Sequence, residues 1–180
     1  FFFLFPRVFY MHVHGMGTAD ALAQKLKPAI ALIGAATQPA AAAANGGSAS
    51  AASGLDTAAL AKVIGAQGEQ TGAVYKITIG RDDLNVREMG AVINARMGLN
   101  TWAAFVGTDA KAAVAGDVAM LAAEVTPVLK ALRQHGLDVV AIHHHMTDTQ
   151  PTIFFLHYWG TGSASTLAAG VKAAIDQLGP

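Results

Sequence analysis

Read for alternation, the chain separates into strand-like and helix-like stretches. In "AVYKITIG", Val74, Lys76 and Thr78 alternate with Tyr75, Ile77 and Ile79, which predicts a strand with one greasier face. "MGLNTWAAFVG" predicts a second strand, bracketed by Gly98 and Gly107. "LDTAALAKVIG" suits a short helix that starts at Asp56 or Thr57 and stops at Gly65. "VTPVLKALRQHG" puts Val125, Val128, Leu129 and Leu132 on one helical face, with Thr126 as N-cap, Pro127 in the first turn and Gly136 as stop. "LDVVAIHHHM" and "PTIFFLHYWG" are β-rich runs joined by the polar "TDTQ", which predicts an antiparallel hairpin. Beyond it, Ser163 caps a last helix whose apolar face is Leu167, Val171, Ile175 and Leu178. The order β, β, α, β, β, α predicts an α+β fold, an antiparallel sheet with helices packed on one face.

The same pattern occurs twice. Pro6 laid over Pro151 aligns "PRVFYMHVHGMGTADALAQKLKPAIALI" with "PTIFFLHYWGTGSASTLAAGVKAAIDQL" without a gap, with 11 identities in 28 positions that include Pro6, Phe9, His12, Gly15 and Gly17. The spacing reads as half of a tandem-duplicated domain. Residues 1–33 are then the last strand and helix of a first repeat, 34–54 an Ala/Gly/Ser linker without charge, and 55–180 a complete second repeat. In the first repeat a strand is expected over Arg7 to His14. Its helix carries Leu22, Leu26, Ile30 and Ile33 on one face, and Pro28 is expected to kink or restart it. Unless another chain or fragment supplies partners and completes this repeat, the strand is expected to expose an edge or to add itself to the sheet of the second.

Composition narrows the function classes. Lys plus Arg and Asp plus Glu number 12 each, giving zero formal charge and no basic face for nucleic acid. Charged residues are only 13 % of the chain, but no apolar run approaches the ~20 residues of a membrane span. Without cysteine there are no disulfides and no thiolate ligands, so a metal site must use N and O donors, with or without Met. The chain opens on Phe1, and "FFFLFP" lacks the features of a signal peptide, which reads as a truncation point.

The chemistry concentrates in the predicted hairpin. Side chains alternate along a strand, so His143 and His145 share one face and His144 the other. In an antiparallel pair with index sum 300, His143 would face His157 and His145 would face Phe155, bringing three imidazoles together. Three nitrogens at ~2.0–2.1 Å, with a fourth position left open, suit a divalent ion such as zinc, copper or nickel. In the first repeat, His12 and His14 stand at the positions of His157 and Trp159 and mark an equivalent site. Met146 and Tyr158 fall on the even face. An odd sum or a bulge would break this arrangement, and a half-buried face of hydrogen-bonded imidazoles is the plain alternative. Asn100, Trp102, Glu124 and Trp159 are candidate lining residues. Trp102 also reads as core and Glu124 as a helix-start carboxylate, while Asp148 reads as a turn former and His135 as a helix-end residue.

Three stretches, "GLNTWAAFVGTDAKAAVAGD", "EVTPVLKALRQHGLDVVAIHHHM" and "PTIFFLHYWG", resemble the LppY/LpqO conserved-domain family of bacterial exported proteins and lipoproteins. The resemblance covers Leu55 to Leu178, with Pro6 to Ile33 similar to the end of the family's first half. It implies an extracytoplasmic setting and a duplicated domain but no established activity. Against the family's Ile-His-Asn-His-Met motif, Ile142, His143, His145 and Met146 match and His144 departs, which implies that His143 and His145 are the pair that matters. The sequence therefore points first to an exported metal-binding protein, a carrier, sensor or scavenger. It also admits a metal-dependent hydrolase or oxidase using the same ligands, or a metal-free domain that binds a small ligand or partner through Trp102, Trp159 and the imidazoles.

Overall fold

The computed structural model describes residues 11–33 and 54–179. They belong to two units. In the first, α1 (Ala19–Ala31) starts at Thr18, whose hydroxyl accepts from the Ala21 N–H, and it buries no residue. The helix continues across Pro28 instead of restarting there. Of the expected strand Arg7 to His14, residues 7–10 lie outside the described residues and Met11–His14 form no strand. A lone strand has no ladder to satisfy its backbone, so alternation alone does not fix it as one. The expected linker lies outside the described residues except for Gly54, which bridges to Thr108.

The second unit has the expected α+β architecture. It contains α2 (Thr57–Ile64), β1 (Gly68–Thr71), β2 (Val74–Gly80), β3 (Val86–Glu88), β4 (Ala91–Ile93), β5 (Asn100–Gly107), β6 (Ala112–Met120), α3 (Ala122–Gln134), β7 (Asp138–His143), β8 (Phe154–Gly162) and α4 (Ala164–Ile175). Six strands form one antiparallel sheet in the order β1-β2-β5-β6-β8-β7, and β3 and β4 form a separate hairpin. The helices α2, α3 and α4 cover one face. Leu60, Ile64, Val128, Leu132, Leu167 and Val171 pack there against Tyr75, Ile77, Phe105, Val114, Val118, Leu156 and Tyr158. On the opposite face a smaller apolar cluster, Val86, Ile93, Leu99, Ala119, Ile153 and Phe155, covers part of the sheet. No helix among the described residues is long and apolar enough to cross a membrane.

The caps expected at Asp56, Gly65 and Ser163 are present. α3 begins a turn earlier than expected. Leu121, not Thr126, is its N-cap, because the Glu124 carboxylate accepts from the Leu121 N–H at 2.7 Å and closes the first turn. Four strands were not expected: β1, β3, β4 and the central β6. The run "AAVAGDVAM" in β6 is mostly Ala and Gly, weak strand formers, and neighbours on both sides impose the extended state. Gly116 in its middle lies where a Cβ would come within 2.1 Å of the Tyr158 ring, so its lack of a side chain admits that buried tyrosine. The Tyr158 hydroxyl then donates to the Trp102 carbonyl at 3.2 Å.

The hairpin differs from expectation in two ways. β7 ends at His143 and β8 begins at Phe154, so the connection is the longer segment 144–153 and not a tight turn at Thr147–Gln150. The register sum is 298, not 300, and it is reached through a bulge: Asp138 faces Trp159 and Val139 faces Tyr158, but Ala141 faces His157 and His143 faces Phe155. Without the extra residue Val140, the sum would stay at 297 and place odd residues opposite even ones. The bulge therefore turns Ala141 and His143 onto the face that carries His157.

Candidate metal centre

β6 and β8 build the floor of the site. Directly opposed residues share a face, so Asp117, paired with His157 on one side and Trp102 on the other, points away from the helices. Asp117 is 3 % exposed, an acid in the middle of the sheet. His157 Nδ1 stands 3.9 Å from its Oδ1 and His145 Nε2 stands 3.7 Å from its Oδ2. One ligand atom from each of Asp117, His145 and His157 lies within 4.8 Å of the other two. Donors at ~2.1 Å around a tetrahedral ion are about 3.4 Å apart, so a small inward movement of the side chains would seat one ion among the three.

Each imidazole is held by a different element. His157 sits in mid-strand. His145 lies just beyond β7, its ring stacked on Phe155 with centroids 3.6 Å apart and planes 1° from parallel, which fixes its direction. Gly98 lies beside it, where a Cβ would make only an ordinary contact at 3.9 Å from His145 Nδ1, and its positive φ of 101° is what calls for glycine. His143, at the end of β7, stacks between the other two, with centroids 4.9 Å from His145 and 4.8 Å from His157. It is not one of the three residues whose donor atoms converge with Asp117. Burial, and then the neighbouring His143, hold His157 below its ordinary pKa of 6.5, while a hydrogen bond with the Gly116 backbone pulls the other way. The net effect favours the neutral imidazole, the form that binds metal.

Of the residues read as ligands, His143, His145 and His157 lie near one another, but not by the expected pairing: a bulge intervenes, Ala141 and not His143 faces His157, and His145 lies beyond the end of β7. His144 is directed elsewhere: its Nδ1 lies 2.8 Å from the Ile153 carbonyl and its ring packs on Phe154. His12 and His14 are exposed residues of the first unit. The lining candidates divide. Trp102 and Trp159 are half-buried on the same open face as Asp117, and the Lys76 ammonium lies 4.4 Å from the centre of the Trp102 ring. Asn100 is tied by its Nδ2 to the Ala95 carbonyl at 2.5 Å. Glu124 is not a solvated carboxylate. It is buried and accepts from both terminal nitrogens of Arg81, which makes it a structural residue. Met146 packs against the small second cluster, and His135 Nδ1 meets the Ala131 carbonyl at the end of α3.

Sequence reasoning missed Asp117. The legible sign was a lone acid at an odd position in a run whose even positions, Val114, Val118 and Met120, are apolar.

The chain belongs to the family described as Domain of Unknown Function (DUF1259), which its residues 58–177 match. The matched part of the DUF1259 domain contains Asp117 and all four histidines of 143–157. No curated protein and no solved structure matches the chain.

Proposed function

We propose that this domain binds a divalent transition metal through Asp117, His145 and His157, as a carrier, sensor or scavenger. One observation carries the reading: a carboxylate that is 3 % exposed shares a volume less than 4.8 Å across with two ring nitrogens from other strands and loops. Taking a carboxylate out of water is costly, and a cation seated against it offsets that cost. Two imidazoles and a carboxylate suit zinc, and copper or nickel are the next expected ions. The finer affiliation belongs to the same proposal. From the stretches similar to the LppY/LpqO family, all within the matched residues, we propose an affiliation with those exported proteins and lipoproteins and an extracytoplasmic setting.

A second reading is favoured by the third of the His157 side chain that stays exposed. Three protein ligands beside a solvent-facing rim leave a position for water or substrate, the arrangement of a metal-dependent hydrolase or oxidase. Titrating metal-depleted protein with Zn2+ in a calorimeter tests the shared part. One equivalent is expected for the wild type, with binding lost in Asp117→Asn. Failure to take up zinc, copper or nickel stoichiometrically overturns both readings.

A further inference from the structure

Three side chains of the centre are graded from inside to outside. The Asp117 side chain is 5 % exposed, His145 20 % and His157 33 %, and the part-buried His143 lies at the end of β7, the edge strand of the sheet. His143 is also placed asymmetrically. Its ring is in contact distance of both other imidazoles, and its ligand atom lies within 4.8 Å of that of His145, but it is not part of the group that includes Asp117. The His143 Nδ1 faces the His144 carbonyl at 3.2 Å. Donation there makes Nε2 the lone-pair nitrogen.

A hydrated divalent ion cannot enter such a site in one step, because its waters must be replaced in sequence and the carboxylate lies at the bottom. From this place at the sheet edge and its asymmetric contacts we propose that His143 is a transfer ligand. The ion is first taken at the rim by His143 and His145, which displace two waters. Asp117 and His157 then replace His143 and a further water, while His145 stays bound throughout. Release runs the same steps in reverse. This rests on the metal-binding reading above and adds a direction of travel to it. It also fits a carrier that must exchange its ion better than a closed structural site. His143 on this account governs rates and not the equilibrium, a role that neither an ordinary ligand nor a structural residue has.

Stopped-flow mixing of metal-depleted protein with Zn2+, and of zinc-loaded protein with excess chelator, separates these roles. In His143→Gln both association and release are expected to slow by about tenfold, with the equilibrium affinity within about threefold of wild type. His144→Gln, equally close in sequence but directed to Ile153, is expected to change neither rate. The inference is overturned if His143→Gln weakens affinity as much as His157→Gln does, or if it leaves both rates unchanged. Should wild-type protein take up no zinc, the metal-binding reading itself fails, an outcome distinct from uptake with unaltered kinetics in the variant.

Discussion

Glu124 and Asp117 are both buried acids of the second unit, yet Glu124 meets Arg81 nitrogens at 2.7 and 2.9 Å, whereas the imidazole nitrogens near Asp117 stand at 3.7 and 3.9 Å. Glu124 also accepts from the Leu121 and Gly179 backbone N–H groups. Its partner Arg81 spends all five donors, on Asp83, Glu124 and the Ala119 carbonyl. Burial pushes the Glu124 carboxyl up, but the hydrogen bonds from Arg81, Gly179 and Leu121 outweigh it and hold the group below its ordinary value. Glu124 ties α3 to the sheet and to the chain end. On the proposed reading, the wider spacing of the imidazoles around Asp117 leaves an ion to sit between them. Burial of a carboxylate therefore does not by itself separate a structural role from a binding one, and the two acids differ in the spacing of the nitrogens around them.

The comparison can be broken at either end. The largest effect is expected from Arg81→Ala, which leaves Glu124 buried without its cation and should lower unfolding free energy by about 3–5 kcal/mol in urea titration. The folded fraction should still bind one zinc. Asp117→Asn should do the reverse, lowering zinc affinity at least about a hundredfold by calorimetry while changing the stability of the metal-free protein by less than about 1 kcal/mol. If Asp117→Asn instead unfolds the protein, the two acids do the same job. Gly116→Ala lies between them, since its Cβ would press on Tyr158 beneath the centre. A loss of roughly 1–3 kcal/mol is expected in thermal unfolding.

The smallest effect is on pH dependence, where the two regions should titrate in separate windows. His157 has a depressed value, so between that value and its ordinary 6.5 the unfolded chain binds the more protons. Stability of the metal-free protein should therefore fall as pH drops below 6.5 and level off beneath the folded value. His157→Gln should flatten this slope. Glu124 is also depressed, so its contribution is present above 4.5 and is lost only as pH falls through the lower folded value. Thermal melts from about pH 7 to about pH 3 in both backgrounds separate the two.

Much of this was legible in the chain. The alternation in Val74–Gly80, the caps at Asp56 and Ser163, and the face Leu167, Val171, Ile175 all reflect local rules that the tertiary structure obeys. The gathering of three imidazoles was expected from parity at a sum of 300 without a bulge, but it is reached at 298 through the bulge at Val140, which nothing local in the chain announces. The rest was not legible because it depends on neighbours. β6 is extended because β5 and β8 flank it, and its small side chains carry little intrinsic preference. Arg81 and Glu124 are 43 positions apart in the chain and meet only in the fold.

The bulge at Val140 has a consequence for how this edge can change. Substitutions along β7 that keep the bulge should leave His143 on its side of the sheet, because that side is set by the count of residues. Removing one residue between Asp138 and His143 should turn that imidazole toward the helices, and removing a second should bring it back. Chain length in this short segment is thus itself part of what decides which face carries His143, separately from which amino acid stands where.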